Sequence, residues 1–70
     1  MDSLGENLKR YRLSKRTSQF ELSTLSGVSK SYISEIESGI YSNISLYVIC
    51  NLCKALLITP NDLIPEEMYR

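Results

Sequence analysis

Apolar residues recur along the first half of the chain at intervals of three and four positions, the spacing of one face of an α-helix. Leu4, Leu8 and Tyr11 predict an amphipathic first helix, and Leu22 with Leu25 predicts a second. No stretch alternates apolar and polar residues for long enough to predict a strand. The pattern therefore predicts an all-α fold.

Polar residues that can cap helices mark where the first two helices begin. Residues 3–6 and 18–21 both have the form Ser-x-x-Glu, a capping box in which hydroxyl and carboxylate each accept a hydrogen bond from a free backbone N–H. We expect helices to start at about Leu4 and Gln19. The second of them should stop at Gly27.

Three further helices should follow this glycine. Ser29 can cap a third helix that runs to Gly39, because glycine readily takes the left-handed conformation that ends helices. Ser45 opens a fourth helix through about Leu56, and residues 59–64, TPNDLI, open a short fifth with proline at its first position. The expected fold class is therefore all-α with five helices.

The third predicted helix has an outer face unlike ordinary helix surface. Ile33 and Ile36 point to one side of this helix. The other side carries mostly short hydrogen-bonding side chains, namely Ser31, Ser34, Glu35 and Ser38, flanked by Lys30 and Tyr32. The DNA major groove admits a helix, and bases are read there by donors and acceptors held close to the helix axis. The face therefore suits base recognition, with an ordinary solvated surface as the alternative.

Length and composition limit what the chain can be. Its 70 residues, 43% of them hydrophobic, are enough for one small domain, which we assign to residues 1–70. The chain has no histidine, no carboxylates paired at a catalytic spacing and no phosphate-binding loop, so we expect no enzyme, cofactor, metal or small-molecule ligand. Because no signal-peptide core or membrane-length apolar run is present, we expect a cytoplasmic protein without membrane contact.

Cys50 and Cys53 form a C-x-x-C motif. A redox pair normally lies at a helix N-terminus, where the dipole stabilises a thiolate, whereas this pair falls in the middle of a predicted helix on an apolar stripe. Two cysteines are also too few for a disulfide framework or a four-ligand zinc site. We interpret both as core residues.

The formal net charge of zero conceals a segregation of charge along the chain. Residues 1–34 carry six Lys and Arg against three Asp and Glu, a net charge of +3, and residues 35–70 carry two against five, a net charge of −3. A basic first half could face a polyanion.

Residues 18–39, SQFELSTLSGVSKSYISEIESG, resemble the helix-turn-helix of the lambda-repressor/Cro-like, or XRE-type, family of DNA-binding domains. The similarity continues through Asn43, Ser45, Leu46, the segment LCKAL and the segment PNDLI. It covers roughly residues 4–64, with the helix-turn-helix at about 19–38 and a short C-terminal tail at 65–70. The resemblance implies a five-helix lambda-repressor-like domain.

The resemblance also implies roles for individual residues. Arg12 and Glu37 match an ion pair of the family that we assign to structure. For base readout we expect Lys30, Ser31, Ser34 and Glu35. For contacts with the DNA backbone we expect Gln19, Ser29, Tyr32 and Ser38.

Two departures from the family predict weak binding by a single copy. The loop after the third helix, GIYSNIS, lacks the basic residues that grip phosphate in many relatives, and Ile44 stands where proline is common. Two copies on adjacent half-sites would recover the affinity, as in dimeric members of the family. We therefore expect a homodimer on a pseudo-palindromic operator in double-stranded DNA.

The fourth helix suggests where the dimer forms, because it is apolar on nearly all sides. We expect one apolar stripe of Leu46, Ile49, Cys50, Cys53, Leu56 and Leu57, with Tyr47, Val48 and Leu52 around its side. The expected dimer interface comprises Tyr47, Val48, Ile64, Met68 and Tyr69. The alternative is a tail that folds back over the core of its own monomer.

The sequence thus predicts a homodimeric, sequence-specific transcriptional regulator without a separate effector domain. Controller proteins of restriction–modification systems, phage-type repressors and antitoxins all fit, and the sequence does not choose among them. The rival class is a protein-interaction module that keeps the fold but has lost DNA binding, which the zero net charge and Glu35 on the outer face favour.

Overall fold

The computed structural model describes residues 3–41 and 43–65, and within these ranges it contains five α-helices and no strand. The helices are α1 (Leu4–Ser14), α2 (Gln19–Ser26), α3 (Lys30–Glu37), α4 (Leu46–Leu56) and α5 (Pro60–Leu63). α1 packs against α3 and α5, α2 packs against α3 and α4, and α4 packs against α5. The predicted fold class is confirmed.

Local capping chemistry sets the helix starts. Both predicted capping boxes form, at the first residues of α1 and α2. The hydroxyl of Ser29 accepts from the N–H of Tyr32 at 3.1 Å, and that of Ser45 accepts from the N–H of Val48 at 3.2 Å. Each bond satisfies an N–H that has no partner within its own helix, which explains why boundaries read from the sequence agree with the structure.

All five helices contribute to one hydrophobic core. Its buried members are Leu4, Leu8, Leu22, Val28, Ile33, Ile36, Ile49, Leu52, Cys53, Leu56 and Leu63. Ile33 and Ile36 anchor α3 in this core, as their spacing predicts. None of the helices in the described ranges has the length and hydrophobicity needed to span a bilayer.

Two expectations about apolar faces are wrong. Leu25 does not join Leu22 in the core but is 65% exposed. In α4, Leu52 is fully buried, whereas Leu46 and Leu57 at the two ends of the expected stripe are 65% and 83% exposed. When a helix is apolar on nearly all sides, periodicity cannot tell which side faces the core, and the packing of α2 and α5 decides it.

The two cysteines are free thiols within α4. Cys53 is buried in the core, and this burial, with smaller contributions from the nearby charges of Cys50 and Asp62, raises the pKa of its thiol to about 11. A thiol with a raised pKa is a poor nucleophile near neutral pH. The surroundings of Cys53 therefore suit a packing residue rather than a redox centre.

Gly5 lies at a close contact between α1 and α3 that the sequence pattern did not predict. A Cβ added to Gly5 would overlap the carbonyl oxygen of Ile36 and would lie 3.3 Å from the Cα of Glu37. Both neighbours are backbone atoms, so no side-chain rotation can relieve the overlap. The absence of a side chain at Gly5 therefore sets the distance between α1 and α3.

We expect Gly5→Ala to lower the free energy of unfolding by roughly 1–3 kcal/mol, because α1 and α3 must move apart. The sign is informative, since alanine normally stabilises a helix interior by about 1 kcal/mol relative to glycine. Thermal or urea unfolding measures the change, with Lys9→Ala on the exposed side of α1 as the control. A Gly5→Ala protein as stable as the wild type would contradict the close approach.

Candidate nucleic-acid interface

α2 and α3 are joined by a tight turn that presents α3 at the surface. α2 ends at Gly27, whose φ of 76° lies in the left-handed region and whose N–H donates to the carbonyl of Ser23 at 2.9 Å. A Cβ at Gly27 would meet no atom within 4 Å, so glycine is required there for its backbone conformation and not for space. Val28 is then buried, and Ser29 caps α3.

The outer face of α3 carries three exposed polar side chains, those of Lys30, Ser31 and Ser34. The opposite face is fixed in the core by Ile33 and Ile36, which are 0% and 1% exposed. The expected separation of an anchored face from a polar face is therefore present. An anchored helix can present these donors and acceptors in fixed positions.

An ion pair between Arg12 of α1 and Glu37 of α3 holds the far end of α3. Arg12 donates from Nε to Oε2 of Glu37 at 2.7 Å and from Nη2 to Oε1 at 2.9 Å, while its Nη1 donates to the carbonyl of Thr17 at 2.9 Å. The two side chains are 9% and 4% exposed. Hydrogen bonding to Glu37 outweighs burial and raises the pKa of Arg12, so the guanidinium stays charged.

Gln19, the first residue of α2, contacts the same carboxylate. Its Nε2 donates to Oε1 of Glu37 at 3.1 Å, so α1, α2 and α3 meet at one side chain. The bond to Glu37 uses one of the two N–H donors of this amide, and the backbone N–H groups of Gln19 and Phe20 have no acceptor within the helix. The backbone N–H and hydroxyl of Ser18 lower the pKa of Glu21, which keeps a carboxylate in this same first turn.

The pattern of α3 places Glu35 on the outer face, but its side chain does not extend freely into solvent. It is half-buried, and its Oε1 accepts a hydrogen bond from the hydroxyl of Tyr41 at 3.4 Å. The ring of Tyr41 meets that of Tyr32 edge-on, with centroids 5.1 Å apart. Tyr32 itself is half-buried against the core. Tyr41 is not among the predicted site residues, although an aromatic residue in a short loop was an available signal.

The serine hydroxyls differ in what they can offer a phosphate. Ser29 accepts from a backbone N–H, which leaves its own O–H available to donate. Ser38 instead donates its O–H to the carbonyl of Glu35 at 2.8 Å. Since a phosphate needs donors, Ser38 would have to give up that bond to contact one.

The expected dimer residues differ widely in exposure. Tyr47 is 77% exposed, whereas Val48 and Ile64 are half-buried and pack against the core of their own chain. Met68 and Tyr69 lie outside the described residues. Leu46 and Leu57, not predicted for this surface, add exposed apolar area at the two ends of α4.

Metal-binding side chains are not gathered at this surface. Among the residues that the structure describes, no group of three or more His, Cys, Asp or Glu side chains could hold a metal ion. The polar groups available at the surface are hydroxyls, an ammonium group, amides and carboxylates.

Comparison with known proteins places this geometry in a family. A helix-turn-helix family model, HTH_3, matches residues 8–63. The HTH-type transcriptional regulator SinR of Bacillus subtilis is 33% identical over 64 residues, which make up 91% of this chain and 58% of SinR. SinR of Bacillus licheniformis matches to the same extent. The chain thus spans little more than half the length of these curated relatives.

Solved structures share the arrangement of helices. The restriction-modification controller protein C.AhdI of Aeromonas hydrophila is 39% identical, with a TM-score of 0.82 over 87% of this chain and 91% of the C.AhdI chain in that structure. The biofilm regulator SinR in complex with DNA is 33% identical, with a TM-score of 0.83 over 86% of this chain and 95% of the SinR chain in that structure. A SinR–SinI complex gives a TM-score of 0.85 at 33% identity, over 91% of this chain and 62% of the matched chain in that structure.

Proposed function

The chain belongs to the XRE-type (Cro/C1) helix-turn-helix family, and from this premise we propose that it is a sequence-specific DNA-binding transcriptional regulator that acts as a homodimer. The observation that carries the proposal is the outer face of α3, whose exposed polar side chains oppose a face anchored in the core. The similarity to SinR, solved in complex with DNA, supports it.

Base readout on this proposal comes from four residues of α3. Lys30 donates to guanine O6 or N7, and Glu35 accepts from the N4 amino group of cytosine. Ser31 and Ser34 are exposed on the same side, and each hydroxyl can donate or accept. Their short side chains bring the helix close to the base edges.

Contacts with the DNA backbone come from the ends of the two helices. The first turn of α2 at Gln19 offers backbone N–H groups and the positive end of the helix dipole. Ser29, Tyr32 and Ser38 are the further candidates, and Ser29 has the hydroxyl that is most ready to donate. These contacts position the protein without reading the sequence.

Dimerisation on this proposal uses α4 and the C-terminal tail. Leu46, Tyr47 and Leu57 are exposed apolar side chains on α4 or at its end, which supports a second chain at this surface. Two recognition helices about 34 Å apart would meet successive major grooves on one side of the duplex. The operator would then be pseudo-palindromic, matching the two-fold symmetry of the protein. The similarity to C.AhdI makes a restriction–modification controller one of the fitting contexts.

Selection of bound DNA from a random pool tests the proposal. We expect Glu35→Gln to change the preferred base at one position of each half-site, because an amide both donates and accepts where a carboxylate only accepts. We expect Gln19→Ala to weaken binding to all DNA sequences alike. The substitution removes the hydrogen bond from α2 to Glu37, and Gln19 is not proposed to contact a base.

Two results of this selection would count against the proposal. If both variants lost the same affinity for every DNA sequence, the assignment of Glu35 to base readout would be rejected. Failure of the wild-type protein to enrich any sequence would favour a protein-interaction module of the same fold.

A further inference from the structure

We propose that Tyr41, which lies outside the recognition helix in the loop after α3, determines DNA specificity by fixing the carboxylate of Glu35. The inference rests on the proposed base readout by α3. Its starting point is that the Tyr41 hydroxyl donates to Oε1 of Glu35 at 3.4 Å.

Tyr41 is positioned by a ring contact and by the backbone of the residue before it. Its ring packs edge-on against Tyr32 at an interplanar angle of 67°, and Tyr32 packs against the core. The neighbouring Ile40 donates its N–H to the carbonyl of Glu35 at 3.2 Å, which closes the loop onto the end of α3. These two contacts restrict Tyr41, which is still 39% exposed, and direct its hydroxyl towards the Glu35 carboxylate.

A glutamate that reads a base has to overcome two difficulties. Its side chain has several rotatable bonds, and ordering them costs conformational entropy on binding. Its negative charge must also approach a duplex lined with phosphates. A hydroxyl donor beside the carboxylate reduces the first cost, since it restricts the side chain before binding.

The contact leaves the second carboxylate oxygen available. Tyr41 uses Oε1, and Oε2 of Glu35 has no hydrogen-bond partner among residues 3–41 and 43–65. Oε2 can then accept from a base amino group while Oε1 stays bound to the protein. The negative charge of Glu35 also raises the pKa of Tyr41, so the phenol remains protonated and able to donate at any pH at which DNA binding is measured.

Tyr41→Phe is the test, because it removes the hydroxyl and keeps the ring on Tyr32. We expect an unchanged melting temperature and a loss of about fivefold in discrimination at the base pair that Glu35 reads, with non-cognate affinity unchanged. In a Glu35→Gln background the same substitution should have no further effect. Tyr11→Phe, which removes a hydroxyl on α1, is the matched control.

Three results would overturn the inference while leaving the proposed function intact. The first is a Tyr41→Phe protein that discriminates between base pairs as well as the wild type does. The second is an equal loss of affinity for all DNA sequences, and the third is an effect of Tyr41→Phe that persists in the Glu35→Gln background. A wild-type protein that selects no sequence would overturn the proposed function and the inference together. Titration of the Tyr41 phenol by NMR tests the contact with Glu35 independently of DNA binding. In the absence of DNA, Glu35→Gln should lower the pKa of Tyr41 towards its ordinary value.

Discussion

Arg12→Ala should lower the free energy of unfolding by about 3 kcal/mol, a large part of the total stability of so small a domain. The substitution leaves the Glu37 carboxylate 4% exposed without the two hydrogen bonds that balance its charge, and it also removes the donor to the Thr17 carbonyl. For a domain of this length the expected fall in melting temperature is roughly 12–24 °C. Thermal unfolding followed by circular dichroism measures it.

Two controls separate the loss of an ion pair from the loss of a side chain. Lys9→Ala truncates an exposed basic residue of the same helix and should change stability by less than about 0.5 kcal/mol. The double variant Arg12→Met with Glu37→Leu removes both charges and should recover much of the stability, because neither is then left unpaired. If the Arg12→Ala protein had the same melting temperature as the wild type, the ion pair would belong to the solvated surface.

The double variant Leu46→Glu with Tyr47→Glu should remain folded as a monomer and bind its operator at least about 100-fold more weakly than the wild type. Both side chains are more than half exposed, and a carboxylate in the first turn of α4 interacts favourably with the helix dipole, so the fold of the single chain has little reason to change. Val48 is unsuitable for this purpose, because it packs against the core.

Sedimentation and DNA titration together measure this prediction. The uncharged pair Leu46→Gln with Tyr47→Gln is the companion variant, and an equal loss of binding would exclude simple repulsion between the new carboxylates and phosphate. Binding by the wild type should rise steeply with protein concentration and should lose this steepness in both variants. A monomeric variant that binds the operator with wild-type affinity would show that affinity does not depend on dimerisation, and would refute the proposed dimer as its source.

The helix boundaries could be read from the sequence because they depend on chemistry within a few residues. A serine followed three positions later by a glutamate supplies acceptors for the free backbone N–H groups of the first turn, independently of tertiary packing. Both such capping boxes form. The buried side of α3 could also be predicted from the sequence, because Ile33 and Ile36 are the only large aliphatic residues of this helix. Local patterns of this kind determine most of the fold.

The sequence was less informative wherever a contact joins distant segments. The choice of Leu52 over Leu46 as a core residue depends on how α2 and α5 pack on α4. Gly5 within a helix signals a close approach, but nothing local identifies Ile36 as the neighbour. The contact between Tyr41 and Glu35 depends on the path of a loop, which hydrophobic periodicity does not encode.

The junction at Glu37 has a consequence for how this protein can change over evolutionary time. The groups that orient α3, namely Ile33, Ile36 and the Glu37 carboxylate, are buried, whereas the side chains of Lys30, Ser31 and Ser34 are exposed. Substitutions on the exposed side remove no core contact and strand no buried charge, so they are nearly neutral for stability. A lineage could therefore acquire a new recognition sequence one residue at a time without passing through an unfolded ancestor.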